Sequence, residues 1–172
     1  MSSDFKELLC ALGAHGVRYL LVGGYAVIEY TEPRFTKDLD LWIAADRANA
    51  EAVYRALAEF GAPMLGATVE DFAIEGGVFQ IGISPFRVDI LMSIDGVAFE
   101  DAWPRRGQAD FGGVPVPVIS RRDLIANKIA AGRPQDRRDA RLLARAEQVE
   151  HQRSAPMTPP DGGRGRDRSD EP

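Results

Sequence analysis

The stretch Thr36-Lys37-Asp38-Leu39-Asp40-Leu41-Trp42-Ile43 alternates as a half-buried strand does, yet two of its alternating positions are carboxylates. Successive side chains on a strand point to opposite faces, so Asp38, Asp40 and Trp42 share one face while Leu39, Leu41 and Ile43 share the other. The two aspartates then have backbones about 7 Å apart, and their carboxylates are free to lean together. Alone they repel, and one takes up a proton. A divalent cation between them removes that conflict, and oxygen-only ligands suit Mg²⁺, which takes one or two carboxylates together with substrate phosphates. Arg87-Val88-Asp89-Ile90-Leu91-Met92 also alternates, with Asp89 in an apolar neighbourhood. If this strand lies beside the first, three carboxylates converge on one sheet face. Such a triad can hold two metal ions and leave Asp89 near an attacking hydroxyl as general base.

Gly23-Gly24 supplies a second half. It follows the apolar run Arg18 to Val22 and precedes a short helical stretch, so bare backbone N–H groups and a helix N-terminus can face a phosphate. Arg34, Thr36 and Lys37, in the loop before the aspartates, add donors that could neutralise phosphate charge. Each piece has an ordinary explanation of its own. Asp-x-Asp is commonly the solvated face of an edge strand, Gly-Gly a simple turn, and Arg34 and Lys37 solvated loop charges. Thr36 could merely cap the loop, and Trp42 could stack on a base or pack in the core. A nucleotide site is indicated by the combination and its order along the chain.

The elements that must position these groups are legible around them. Phe5, Leu8, Leu9 and Leu12 follow helical spacing from a cap at Ser3 or Asp4, with Cys10 expected in the core. The spacing predicts strands over 18–22 and 38–43, helices over 25–30 and 46–60, and helical turns over 68–73 and 99–103. Residues 78–83 and 86–94 read as a hairpin turning at Ser84-Pro85. Gly112-Gly113 predicts a second hairpin between 108–111 and 114–118, its last strand placed at a sheet edge because Pro115 and Pro117 cannot donate. Ser120 and Asp123 resemble a capping box that opens a helix to Ala131, and a last helix runs from Pro134 to about Val149. In this frame Arg133, Asp136 and Asp139 form a helix-start cap and ion pairs that lock the last two helices. The expected fold is α/β (α+β): a small twisted mixed sheet, helices mainly on one side, and a C-terminal helical pair.

Composition sets limits. The chain has 172 residues, 45% hydrophobic and 27% charged, with one cysteine and a formal net charge of -5. One domain over residues 1–149 is expected, with 119–149 as its C-terminal helical part and 150–172 as a disordered tail rich in Pro, Gly, Arg and Asp. No secretory signal or bilayer-spanning run is visible, which points to a cytoplasmic protein with no membrane partner. Residues 1–119 carry 9 basic against 17 acidic side chains, whereas residues 120–148 carry 8 against 4. A general nucleic-acid binder is usually basic throughout. An acidic body with a basic helical segment instead suits a polyphosphate or an RNA end held beside an acidic metal site.

Val22 to Ile43, VGGYAVIEYTEPRFTKDLDLWI, resembles the signature of the DNA polymerase beta-like nucleotidyltransferase superfamily: a Gly-Gly or Gly-Ser turn, then Asp-x-Asp in a strand and a third carboxylate on a later strand. Arg34-Phe35-Thr36-Lys37-Asp38-Leu39-Asp40 and the segment Ser120 to Leu143 are similar to the small bacterial AbiEii-type toxin nucleotidyltransferases. The resemblance covers about Phe5 to Ala146. It implies transfer of a nucleoside monophosphate from an NTP such as ATP to a hydroxyl, with Mg²⁺ held by Asp38, Asp40 and Asp89. Gly23 and Gly24 would approach the triphosphate, and Lys128 would bind phosphate from the far wall, although its helical context equally allows a solvent-facing lysine. Gly24 stands where many active members have serine, so one hydroxyl contact is missing. The implied acceptor is a tRNA end, a protein hydroxyl or a small molecule, and a cognate antitoxin is an implied partner. The alternative function is a non-catalytic nucleotide- or partner-binding module with the same fold.

Overall fold

The computed structural model describes residues 3–83 and 87–154. Its elements are α1 (Ser3–Ala14), β1 (Tyr19–Val22), α2 (Gly23–Tyr30), β2 (Asp38–Ile43), α3 (Arg47–Phe60), α4 (Val69–Phe72), β3 (Val78–Ile81), β4 (Arg87–Leu91), α5 (Phe99–Ala102) with a 3-10 turn at Trp103–Arg105, β5 (Gly107–Asp110), β6 (Pro115–Val118), α6 (Arg121–Ala131) and α7 (Pro134–Ser154). Six strands form one mixed sheet in the order β3-β4-β2-β1-β6-β5. β2 pairs antiparallel with β1 and parallel with β4, which places it in the middle of the sheet.

The alternation of β2 divides its two faces as expected. Leu39, Leu41 and Ile43 are buried with Phe5, Leu8, Leu9 and Leu12 of α1 and Val53, Ala56 and Leu57 of α3 in one core. The hydrophobic effect, roughly 25 cal/mol per Å² of apolar area removed from water, is what fixes the register there, because a one-residue slip would drive Asp38 and Asp40 into that core. On the opposite face Trp42 is buried and meets the Phe99 ring edge-on at 5.0 Å. Trp42 is therefore a core residue, and the aspartate end of that face is left uncovered.

Two caps and one buried amide set the ends. Asp46 caps α3 through the Asn49 N–H, and Gly61 closes it in the left-handed conformation. The Asn49 side chain accepts from the Arg18 N–H and donates to the Arg18 and Ala44 carbonyls, tying the entry of β1 to the exit of β2. At the other end α6 and α7 pack on each other and on α2, and Leu124 and Leu143 join the common core.

Some sequence expectations change. β6 is not an edge strand, since it lies between β1 and β5. Its prolines are tolerated because Phe111 and Val114 exchange the closing hydrogen bonds of the hairpin, which puts Pro115 and Pro117 at positions where no N–H points to β5. On the other side β1 meets β6 only at Val118. The glycine pair turns as expected, with φ of 64° and 90° at Gly112 and Gly113. Cys10 is exposed; at 100° per residue it sits well round the helix from the Phe5–Leu9–Leu12 stripe. α7 continues to Ser154, past the expected end. Strands β3 and β4 pair antiparallel, and the expected turn at Ser84-Pro85 lies outside the described residues, as does the expected tail from 155 onward.

Replacing Asn49 with Ala leaves buried backbone groups of Arg18 and Ala44 short of partners. Urea unfolding should show a loss of about 2–3 kcal/mol.

Candidate active site

Parallel pairing of β2 and β4 places Asp38 opposite Arg87 and Asp40 opposite Asp89. Because each pair is separated by two residues on its own strand, all four side chains rise from the same face. The sheet thus presents a four-cornered arrangement with three carboxylates and one guanidinium. Arg87 Nη2 donates to Asp38 Oδ2 at 2.9 Å and to Asp89 Oδ2 at 3.0 Å. The remaining oxygens, Oδ1 of Asp38 and Oδ1 of Asp89, are buried without a hydrogen-bond partner.

The fourth corner is held by backbone. Gly23, with φ of +63°, lets the chain leave β1 and enter α2 so tightly that a Cβ there would fall 1.9 Å from Asp40 Oδ2. The Gly24 N–H donates to the Asp40 carboxylate. Burial, reinforced by repulsion from Asp89 and Asp38 and opposed by Lys128, raises the Asp40 pKa to about 6. Gly24 is constrained by a side chain alone, since a Cβ there would lie 2.4 Å from Thr36 Oγ1.

Beside Asp40 and Asp89 opens a cleft of about 440 Å³, also lined by Gly23, Gln80, Ser93, Asp95, Asn127, Lys128, Arg133 and Asp136. Its far wall is α6 and the start of α7. Lys128 is buried, with its Nζ 2.8 Å from Asp136 Oδ1 and 3.7 Å from Asp139 Oδ2. Asn127 donates to the Asp95 carbonyl, which draws the loop after β4 onto α6.

Of the residues singled out in the sequence, Gly23, Asp40, Asp89 and Lys128 meet in this cleft, and Asp38 joins them through Arg87. The others are placed differently. Arg34 makes a two-armed ion pair with buried Asp139, its second arm at 3.0 Å, so its guanidinium ties the loop before β2 to α7. Thr36 packs on Gly24, Lys37 is exposed in the loop, and neither lines the cleft. Arg87, Asn127 and Asp136 were not singled out as site residues. For Arg87 the signal was present, because Arg-x-Asp places it on the face of Asp89 by the rule that pairs Asp38 with Asp40.

Among the described residues, no three His, Cys, Asp or Glu side chains are gathered closely enough to ligate one ion as they stand. The Arg87 nitrogen occupies the space between two of the carboxylates. The donor set nevertheless fits a hard divalent cation: it consists of carboxylate oxygens, two of them buried and orphaned, and a third carboxylate holds its proton unusually tightly.

A family model described as "Nucleotidyl transferase AbiEii toxin, Type IV TA system" matches residues 7–152. Among solved structures, the chain is similar to the antibiotic-resistance factor ANT(2'')-Ia in solution, with 17% identity over 88% of each chain and a TM-score of 0.55. The crystal structure of ANT(2'')-Ia in complex with adenylyl-2''-tobramycin matches with 20% identity over 87% of this chain and 92% of that one, TM-score 0.53. The lincosamide antibiotic adenylyltransferase LnuA, lincomycin-bound, matches with 16% identity over 84% of this chain and 96% of that one, TM-score 0.51. These likenesses show a shared nucleotidyltransferase fold. Curated protein sequences give no match to the chain.

Two outcomes follow from the corner at Asp40. Gly23→Ala should destabilise the protein by more than the roughly 1–2 kcal/mol of a left-handed backbone alone, and part of that loss should vanish in an Asp40→Ala background, measured as a double-mutant cycle. Because the Asp40 pKa is raised, the folded state binds a proton that the unfolded chain has released between about pH 4 and 6. Stability is lost as pH rises through that window, and the cost persists above it. Asp40→Asn, without added divalent cation, should therefore be more stable than wild type above pH 6, by up to about 3 kcal/mol, with the gain fading toward pH 4. Thermal melts across that range check this.

Proposed function

The chain belongs to the AbiEii nucleotidyltransferase toxin family, and from that premise we propose that it is a Mg²⁺-dependent enzyme that moves a nucleoside monophosphate from an NTP to a hydroxyl. The observation that carries the proposal is the facing pair Asp40 and Asp89, with Gly23 backbone pressed against one of them and Lys128 on the opposite wall. Asp38, Asp40 and Asp89 would hold the ion, which when bound neutralises phosphate charge and leaving-group charge. Every other contribution comes from the chain itself. Asp89 lies on the cleft floor and is the group placed to accept the proton of an incoming hydroxyl. That oxygen forms the new bond to the α-phosphorus as the bond to the β-phosphate oxygen breaks and pyrophosphate leaves. Gly23, with no side chain, lets the triphosphate approach β1 and the start of α2. Lys128, positioned by Asp136, offers a fixed positive charge from the far wall. Positioning and charge neutralisation supply most of the rate in such transfers.

The outer face of α7 favours RNA as acceptor over a protein or a small molecule. Arg133, Arg137, Arg138, Arg141 and Arg145 are exposed, while Asp136 and Asp139 of the same segment are buried. Four of these arginines recur every four residues, about 6 Å apart along the axis, and lead away from the cleft that Arg133 lines. Modification of an RNA end would make the enzyme the toxin half of a toxin–antitoxin pair. Among the described residues no helix is long and apolar enough to cross a membrane.

When four α-phosphate-labelled NTPs are supplied in turn with Mg²⁺ to a cell extract, at least one should label the RNA fraction with a single nucleotide, and Asp38→Asn should abolish it. Label in protein or small molecules would move the acceptor to that class. No label anywhere, from folded protein that binds NTP, would make the chain a binding module. Arg137→Ala with Arg141→Ala should weaken labelling and flatten its decline with salt, because each phosphate contact steepens that decline by about one unit of log–log slope.

A further inference from the structure

Arg87 reaches two carboxylates on neighbouring strands with one nitrogen. Three of the four corners it shares are acidic, and its side chain is the sole positive group on that face of β2 and β4. The pairing is incomplete. A guanidinium binds a carboxylate best through two parallel N–H bonds to the same group. Here a single Nη2 serves both carboxylates, while Nε of Arg87 and Oδ1 of each aspartate are buried without partners. The side chain of Arg87 is 36% exposed and that of Asp38 31%, against 11% for Asp89. The arginine therefore has a path to solvent, whereas the Asp89 carboxylate is held on the cleft floor.

We propose that Arg87 is a built-in counter-ion that holds Asp38 and Asp89 together and competes with a divalent cation for the same oxygens. The inference rests on the metal-dependent transfer proposed above and adds to it the residue that sets cation affinity in the resting protein. A cation arriving alone must displace the guanidinium. One arriving with a triphosphate brings phosphate ligands of its own, so less of its affinity depends on the contested oxygens. Arg87 thereby makes the site selective for the cation–NTP complex over the free ion. It is a positioning residue, since its contacts are to the carboxylates and not to the reacting atoms.

Calorimetric titration with Mn²⁺, without nucleotide, tests this on wild type, Arg87→Gln and Arg87→Lys. Loss of the competitor should tighten Mn²⁺ binding about tenfold in Arg87→Gln, the scale of one charge-assisted hydrogen bond. Arg87→Lys, whose compact ammonium lacks the planar reach of a guanidinium, should fall between that variant and wild type. It also carries the test if Arg87→Gln does not fold without metal. Equal or weaker Mn²⁺ binding in the variants would overturn the proposal and leave metal-dependent transfer standing, because the arginine would then be ordering the ligands instead of competing for them. Absence of Mn²⁺ binding in all three proteins without nucleotide would overturn this proposal, and its absence also with a non-hydrolysable NTP analogue present would overturn metal-dependent transfer.

Discussion

Like charge confined to one face of a central strand is the constraint around which this molecule is arranged. Asp38 and Asp40 cannot turn inward, because the other face of β2 is the core that joins α1 and α3 to the sheet. They cannot separate either, because the strand fixes their spacing, and parallel pairing with β4 sets Asp89 directly across from Asp40. Water is partly excluded by the tight turn at Gly23 and by the helical pair on the far wall. The repulsion must be met locally. The molecule meets it with Arg87 between two carboxylates, Lys128 across the cleft and a proton held by Asp40 up to about pH 6.

The surrounding structure serves that arrangement. Gly23 is required because any side chain would occupy the place of the Asp40 carboxylate, and Gly24 because Thr36 already fills the space beside it. The latter contact also bears on the absent serine at position 24: a side chain there would have to move Thr36 before reaching the cleft. Arg34, in the loop before β2, and Lys128, on the cleft wall, are anchored by Asp139 and Asp136 of α7. The last helix therefore does more than close the domain. It sets the position of two cations and presents its own arginines outward.

The parts of this site that were legible in the sequence depend on short-range rules. Alternation put Asp38 and Asp40 on one face, and a glycine pair after an apolar run marked the turn into α2; Asp89 joined them only through the pairing of β2 with β4, which the sequence left as a condition. Arg87 obeys the same alternation, but a single arginine beside an aspartate in sequence does not reveal a second partner 49 residues away. The Arg34–Asp139 pair joins residues 105 apart and was invisible for the same reason. Lys128 had two readings until packing of α6 on α7 determined which side of its helix was buried. Pro115 and Pro117 pointed to an edge that the sheet does not have there: their missing donors face β1, which meets β6 only where Val118 pairs with Leu21, so β6 is interior despite them.

The proposed transfer requires that a divalent cation complete this acidic face. The most direct test compares melting temperatures in MgCl₂ and in NaCl of matched ionic strength, at pH 8 and with a non-hydrolysable NTP analogue present throughout. Mg²⁺ should raise the wild-type melting temperature well beyond the NaCl control, and Asp40→Asn, with its carboxylate removed, should show little of that excess. An equal rise in both salts, or an undiminished Mg²⁺ effect in Asp40→Asn, would contradict it, because the charge on this face would then be answered by screening alone or the ion would bind elsewhere.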